Sequence, residues 1–121
     1  FCSFSLNFQT THAMADIVDV NLNQPGLIYI IQEALSNYFK VGVSTTKETV
    51  KRRISNLQSG NWRRLTLKQT NAVSNMNLAE KEAHKSLQDV QVRAGGGQEW
   101  FHSSFERISD AVNAAAGKYP C

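Results

Sequence analysis

Two stretches decide how this chain folds: Gly26-Leu27-Ile28-Tyr29-Ile30-Ile31 and Phe39-Lys40-Val41-Gly42-Val43-Ser44. Leu27 to Ile31 is an unbroken apolar run, short and rich in β-branched residues. It reads as a strand covered on both faces. In the second stretch Phe39, Val41 and Val43 alternate with Lys40, Gly42 and Ser44. That period of two marks a strand with one face toward a core. Glu33 to Tyr38 joins them, with Ser36-Asn37 as the turn signal. So short a link favours an antiparallel hairpin.

Downstream, Ser44-Thr45-Thr46 offers a helix N-cap and Glu48 suits a first turn. The helix should run to about Gln58, bury Val50, Ile54 and Leu57, and close at Ser59-Gly60-Asn61. Leu65 to Val73 reads as a third strand. Asn75-Met76-Asn77 precedes a helix from about Leu78 to Val90 with a stripe of Ala79, Ala83, Leu87 and Val90. Gly95-Gly96-Gly97 reads as a flexible loop and Trp100-Phe101 as an apolar anchor. A last helix from about Ser104 to Ala116 buries Phe105, Ile108, Val112 and Ala115 and stops at Gly117 and Pro120. The order β-β-α-β-α-α predicts an α/β (α+β) domain: a small three-stranded antiparallel sheet flanked by helices. The domain is expected over residues 24–116, with a C-terminal tail at 117–121. Residues 1–23 read as an N-terminal tail; Met14 is a candidate start, with the residues before it read as non-native.

A chain of 121 residues reads as one domain, long enough to bury a modest core. No apolar run approaches the roughly 20 residues of a membrane span. The net charge of +3 is mild but unevenly placed. Lys47, Lys51, Arg52, Arg53, Arg63, Arg64 and Lys68 cluster against only Glu48. Such a patch attracts polyanions, or is simply a solvated helix face and loop. The two cysteines, Cys2 and Cys121, lie at opposite ends. They make no disulfide framework and no zinc-type spacing, which favours an intracellular site, cytoplasmic or nuclear. Pairing of the two ends is the alternative.

Six positions could carry chemistry. Tyr29 sits among aliphatic residues, where its hydroxyl needs a partner. Lys40 points away from the face that Phe39 and Val41 share. Arg53 lies only about 40° from Leu57 around its helix, so it borders the buried stripe and should be partly buried. Glu80 lies about 20° from Leu87, and His84 stacks four residues on along the same edge. Glu82, Lys85 and Asp89 fall on the solvated side. Glu99 precedes the Trp-Phe anchor and would pair with Arg93 or Arg107. Each residue alone also reads as ordinary packing or a solvated charge.

Taken together, these blocks resemble the GIY-YIG nuclease superfamily. Leu27-Ile28-Tyr29, with Gly26 one position early, matches the first motif, and Lys40-Val41-Gly42 the second. The wording is closest to a phage and viral DNA-binding-domain branch with Lys-Ile-Gly, then Arg53 to Asn61, Glu80 with His84, and a Gly-Glu-Trp-Phe motif at Gln98 to Phe101. The resemblance implies hydrolysis of DNA phosphodiesters with one divalent metal, Mg²⁺ or Mn²⁺. Glu80 would hold the metal. Tyr29 would act near the attacking water as base or orienter. Lys40, standing in for the second tyrosine, would help activate the water or neutralise charge. Arg53 would stabilise charge on the phosphate, and His84 would orient a water or touch a phosphate. Lys47, Lys51, Arg52, Arg63, Arg64 and Lys68 would contact DNA. The second tyrosine is missing, and Asn113 is a poor match for the family's late asparagine.

Two other readings remain: a non-catalytic DNA-binding module of the same fold, and an unrelated scaffold that binds a partner through Trp62, Trp100 and the basic patch. No membrane partner is expected. Sequence preference would come from the 60–70 loop, from a homodimer, or from a separate targeting domain.

Overall fold

A computed structural model describes residues 24–93 and 99–121. The elements are β1 (Gly26–Glu33), β2 (Tyr38–Ser44), α1 (Lys47–Ser59), β3 (Leu65–Val73), α2 (Met76–Ser86), a 3₁₀ turn (Gln88–Val90), β4 (Trp100–His102) and α3 (Phe105–Lys118). The sheet is antiparallel, in the order β3-β1-β2-β4. It has four strands where three were expected. Trp100-Phe101 is not merely an anchor: it pairs with Phe39 and Lys40. Three residues are too few to show a period, and this pairing is long-range, so nothing local announces it.

The central hairpin forms as its pattern requires. Ile28 and Ile30 of β1 turn to one face and join Phe39, Val41, Val73 and Phe101. Ala79, Ala83 and Leu87, together with Ile108, Val112 and Ala115 of α3, close that core. Leu27, Tyr29 and Ile31 turn to the other face and pack with Val50 and Leu65, with Ile54 and Leu57 of α1 against them. The sheet thus lies between α1 and the pair α2–α3. Burial of β1 on both faces explains its unbroken apolar run.

Thr46, Asn75 and Ser104 cap the three helices, each accepting a hydrogen bond from the backbone N–H three residues on. The second helix is shorter than the 78–90 expected, ending at Ser86 before the 3₁₀ turn. Residues 117 and 118, assigned to a tail, continue α3. Tyr119 then accepts a bond from the Ser74 N–H at 2.9 Å. Gly117 did not stop the helix because it lies exposed on the last turn, where the cost of glycine is small. Cys121 is disulfide-bonded. The expected N-terminal tail at 1–23, with Cys2, and the Gly95–Gly97 loop lie outside the described residues. Among those described, no helix is long and apolar enough to cross a membrane.

Candidate functional site

β4 covers β2 only from Tyr38 to Lys40. From Val41 onward no strand among the described residues lies beside the outer edge of β2, and its polar groups are met by other partners. The Val41 N–H donates to the Glu99 carbonyl at 2.9 Å. The Val41 carbonyl accepts from His84 Nε2 at 2.9 Å. The Val43 carbonyl accepts from an Arg53 guanidinium N–H at 3.0 Å. Arg53 comes from α1 and His84 from α2, so helices on opposite faces of the sheet meet at one edge.

Lys40 joins them. Cross-strand pairing sets it opposite Ile31 and near Tyr29, on the α1 face. Its Nζ donates to Glu99 Oε1 at 2.6 Å, and its side chain is 16% exposed. Glu99 therefore pairs with Lys40, not with Arg93 or Arg107. Arg107 binds Asp89 instead, at 2.7 Å. Lys40 outcompetes them because β4 pairing carries Glu99 to it, a neighbour that chain distance conceals.

Glu80 is the carboxylate of the cluster, 23% exposed. His84 Nε2 stands 3.9 Å from it, which is proximity and not a hydrogen bond. Among the described residues no donor satisfies the Glu80 carboxylate. Burial pushes its pKa above the ordinary carboxylate range; the nearby Glu99 charge adds to this, while His84, Lys40 and Arg53 oppose it. Those opposing charges place Glu80, Glu99, His84, Lys40 and Arg53 within one electrostatic neighbourhood.

Tyr29 forms the floor. It is fully buried, and its hydroxyl has no hydrogen-bond partner. The ring crosses Gly42, its neighbour on β2. A Cβ on Gly42 would sit 2.7 Å from the Tyr29 hydroxyl and 2.8 Å from Cζ. Gly42 is thus required so that the ring can reach across β2. Its hydroxyl is sealed from solvent, unlike a group already poised on a water.

One expectation needs correction. Arg53 is exposed, not partly buried: its stem leaves the stripe and its head finds Val43 at the sheet edge. His84 cannot offer Nε2 to a water or phosphate while Nε2 donates to the Val41 carbonyl; its ring also leans on Phe101, with centroids 5.1 Å apart.

The basic residues divide. Lys47, Lys51 and Arg52 are exposed along α1, and Arg64 is exposed just beyond it. Arg63 is committed to Glu33 at 3.5 Å. Lys68 does not share their surface. It falls at a break in the β1–β3 register and lies over the Phe105 ring, on the α3 side of the sheet. Asn113 hydrogen-bonds Gln69 and Asn71 on β3, two strands from the Val41–Val43 edge. A hollow of about 360 Å³ beside Gly26 and Thr46 contains none of the clustered side chains. Among the described residues there is no group of three or more His, Cys, Asp or Glu able to hold a metal ion.

Residues 26–116 match the family model of the T5orf172 domain. No curated protein and no solved structure matches the chain.

Proposed function

Because this chain belongs to the T5orf172 domain family, we propose that it is a DNA endonuclease of GIY-YIG type, hydrolysing phosphodiesters at the open edge of β2 with one divalent metal, Mg²⁺ or Mn²⁺. The observation that carries this reading is convergence. Lys40, Arg53, Glu80 and His84 come from three different elements, yet they meet beside the stretch of β2 that has no strand partner among the described residues.

The cluster suits an anionic substrate. Arg53 uses one N–H on Val43 and Lys40 one on Glu99. A guanidinium has five donors and an ammonium three, so both are anchored and still have donors for phosphate oxygens. His84 holds the edge in shape from the other side. Lys47, Lys51, Arg52 and Arg64 would neutralise flanking phosphates along the outer face of α1.

Glu80 fits a hard cation. It is half-buried and has no donor among the described residues, and a divalent ion would satisfy it. One carboxylate is enough for Mg²⁺ only where water and substrate phosphates complete the shell, so binding of metal and DNA should be coupled. When bound, the ion would supply charge neutralisation at the phosphate and at the leaving oxygen. Tyr29 would hold the attacking water through its otherwise unpartnered hydroxyl, once substrate binding opens the floor above it.

The sealed Tyr29 hydroxyl also favours a second reading, a DNA-binding module without cleavage. Nicking of supercoiled plasmid by the full chain with Mg²⁺ or Mn²⁺, beside Glu80→Ala, separates the two. Cleavage by the wild type alone supports the nuclease. Salt-sensitive binding by both proteins without cleavage supports the module. Equal cleavage by both rejects Glu80 as the metal ligand.

A further inference from the structure

A second feature, outside the cluster, is an apolar tip where the β1–β2 turn meets the α1–β3 loop. Trp62 is 90% exposed and Leu35 is 96% exposed. They stand on adjoining segments: the Ala34 N–H donates to the Arg64 carbonyl at 2.5 Å, and Arg63 pairs with Glu33.

Nothing in the core explains this exposure, and the tip is not slack. Gln58 pins the loop with three hydrogen bonds, donating to the Asn61 and Arg63 carbonyls and accepting from the Leu65 N–H. Asn61 accepts from the Arg63 N–H through its side chain. The Gln58-Ser59-Gly60-Asn61 motif is thus a scaffold that presents Trp62. Arg63 lies 5.4 Å from the centre of the indole and steadies it. On the facing turn, Ala34 adopts φ 51, a left-handed conformation costly for a residue with a Cβ, and this leaves Leu35 outward. Such strain, held by surrounding bonds, clusters at binding sites.

The chemistry beside the tip selects the ligand. Arg64 is exposed and makes no ion pair among the described residues, and Lys51 and Arg52 lie on the exposed face of α1 leading to it. A rigid exposed indole flanked by cations is what a base with an accessible π-face recognises.

We propose that Trp62, backed by Leu35, stacks on an unpaired or unstacked nucleobase, so that the substrate of the β2-edge site is DNA carrying a gap, bulge or single strand. This rests on the DNA reading above. Duplex DNA would still bind through the basic face of α1, but without the stacking contribution.

The test uses the full chain in EDTA, so that binding is read without cleavage. Its probes are a fluorescein-labelled duplex and the same duplex with a short central gap. The wild type should bind the gapped probe about tenfold more tightly, within the range that base–aromatic stacking provides. Trp62→Ala should remove that preference and leave duplex binding within about twofold. Because Trp62 is exposed, the variant keeps its core, which circular dichroism will check. Stacking should also quench tryptophan emission in the wild type, and not in Trp62→Phe. If the wild type binds both probes alike and Trp62→Ala changes nothing, the proposal is overturned and the tip is left to a protein partner. If the wild type binds neither probe at low salt, the DNA reading itself falls.

Discussion

Replacing Tyr29 with phenylalanine should make this protein more stable and less active. Tyr29 is fully buried and its hydroxyl has no partner. A buried polar group left unsatisfied costs about 1–3 kcal/mol. Tyr29→Phe deletes that group, breaks no hydrogen bond and keeps the ring over Gly42. Stability should therefore hold or rise by up to roughly 1–3 kcal/mol, where most core substitutions lose it. In a domain near 100 residues each kcal/mol moves Tm by about 4–8 °C, so the gain should be visible in a thermal melt and in the urea midpoint. The same variant should nick plasmid at least about 100-fold more slowly, the lower end of what positioned proton-transfer groups contribute. Two results would refute the reasoning. A loss above about 1 kcal/mol would mean that the hydroxyl has a partner after all. An unchanged nicking rate would mean that it is an ordinary core tyrosine.

Other substitutions probe the neighbouring contacts. Gly42→Ala drives a methyl into the Tyr29 hydroxyl and Cζ at 2.7 and 2.8 Å; the walled-in ring cannot swing away, so melting should report a loss of about 1–3 kcal/mol. Glu80→Gln has a pH signature. Burial raises the folded pKa of Glu80 above its ordinary 4.5, so the native state holds this proton more tightly than the unfolded chain. The resulting penalty is absent below pH 4.5 and grows as pH rises through the raised value. Urea melts in EDTA should show Glu80→Gln stabilised at pH 7 and not at pH 4; no pH dependence of the difference would reject the burial argument. For the Lys40–Glu99 contact, Glu99→Gln should slow nicking about tenfold when Lys40 is present and have no effect in a Lys40→Met background, the double-mutant signature of two touching side chains. If Lys51 and Arg52 each meet a phosphate, their replacement by glutamine should lower the slope of log K against log salt by about 0.9 per residue, and Lys68→Gln should leave it unchanged.

The fold was legible where local pattern carries it. β1 and β2 follow from their apolar run and their alternation, and the N-cap of α1 was visible within Ser44-Thr45-Thr46, where the structure uses Thr46. β4 was not, because Trp100–His102 is a strand only through its pairing with residues some 60 positions away. That one omission hid the Lys40–Glu99 contact and sent Glu99 to the wrong arginine. Helical angle placed Glu80 and His84 correctly at a rim, but it could not show that the His84 ring nitrogen would be spent on a carbonyl. It also misjudged Arg53, since angle around a helix fixes where a side chain leaves and not where a long stem ends. The basic cluster was read as one patch because a one-dimensional count ignores faces; the register break in β3 turns Lys68 toward α3.

The candidate site lies along β2 just beyond the last residue that pairs with β4. An exposed strand edge presents unpaired N–H and C=O groups that invite pairing with another chain. Here the edge is instead closed by side chains and one backbone carbonyl, and each closing group has a second capacity. Arg53 and Lys40 are each fixed by one bond and retain further donors. His84 and Glu99 are the fixed partners on the α2 and β4 sides. Among the described residues Glu80 is brought to the edge without a donor, and Tyr29 is brought beneath it without a partner, as is the buried Ser44 hydroxyl. Two cations with donors to spare, one carboxylate lacking a cation and one hydroxyl lacking an acceptor are mutually unsatisfied in this arrangement. They cannot complete one another, because Glu80 approaches from the α2 face and the Tyr29 hydroxyl is sealed on the α1 face. A phosphate with its metal and a water would supply each missing partner at once. On the nuclease reading proposed above, Tyr29→Phe and Glu80→Gln should each stabilise and each inactivate, and they are the paired test of that reading.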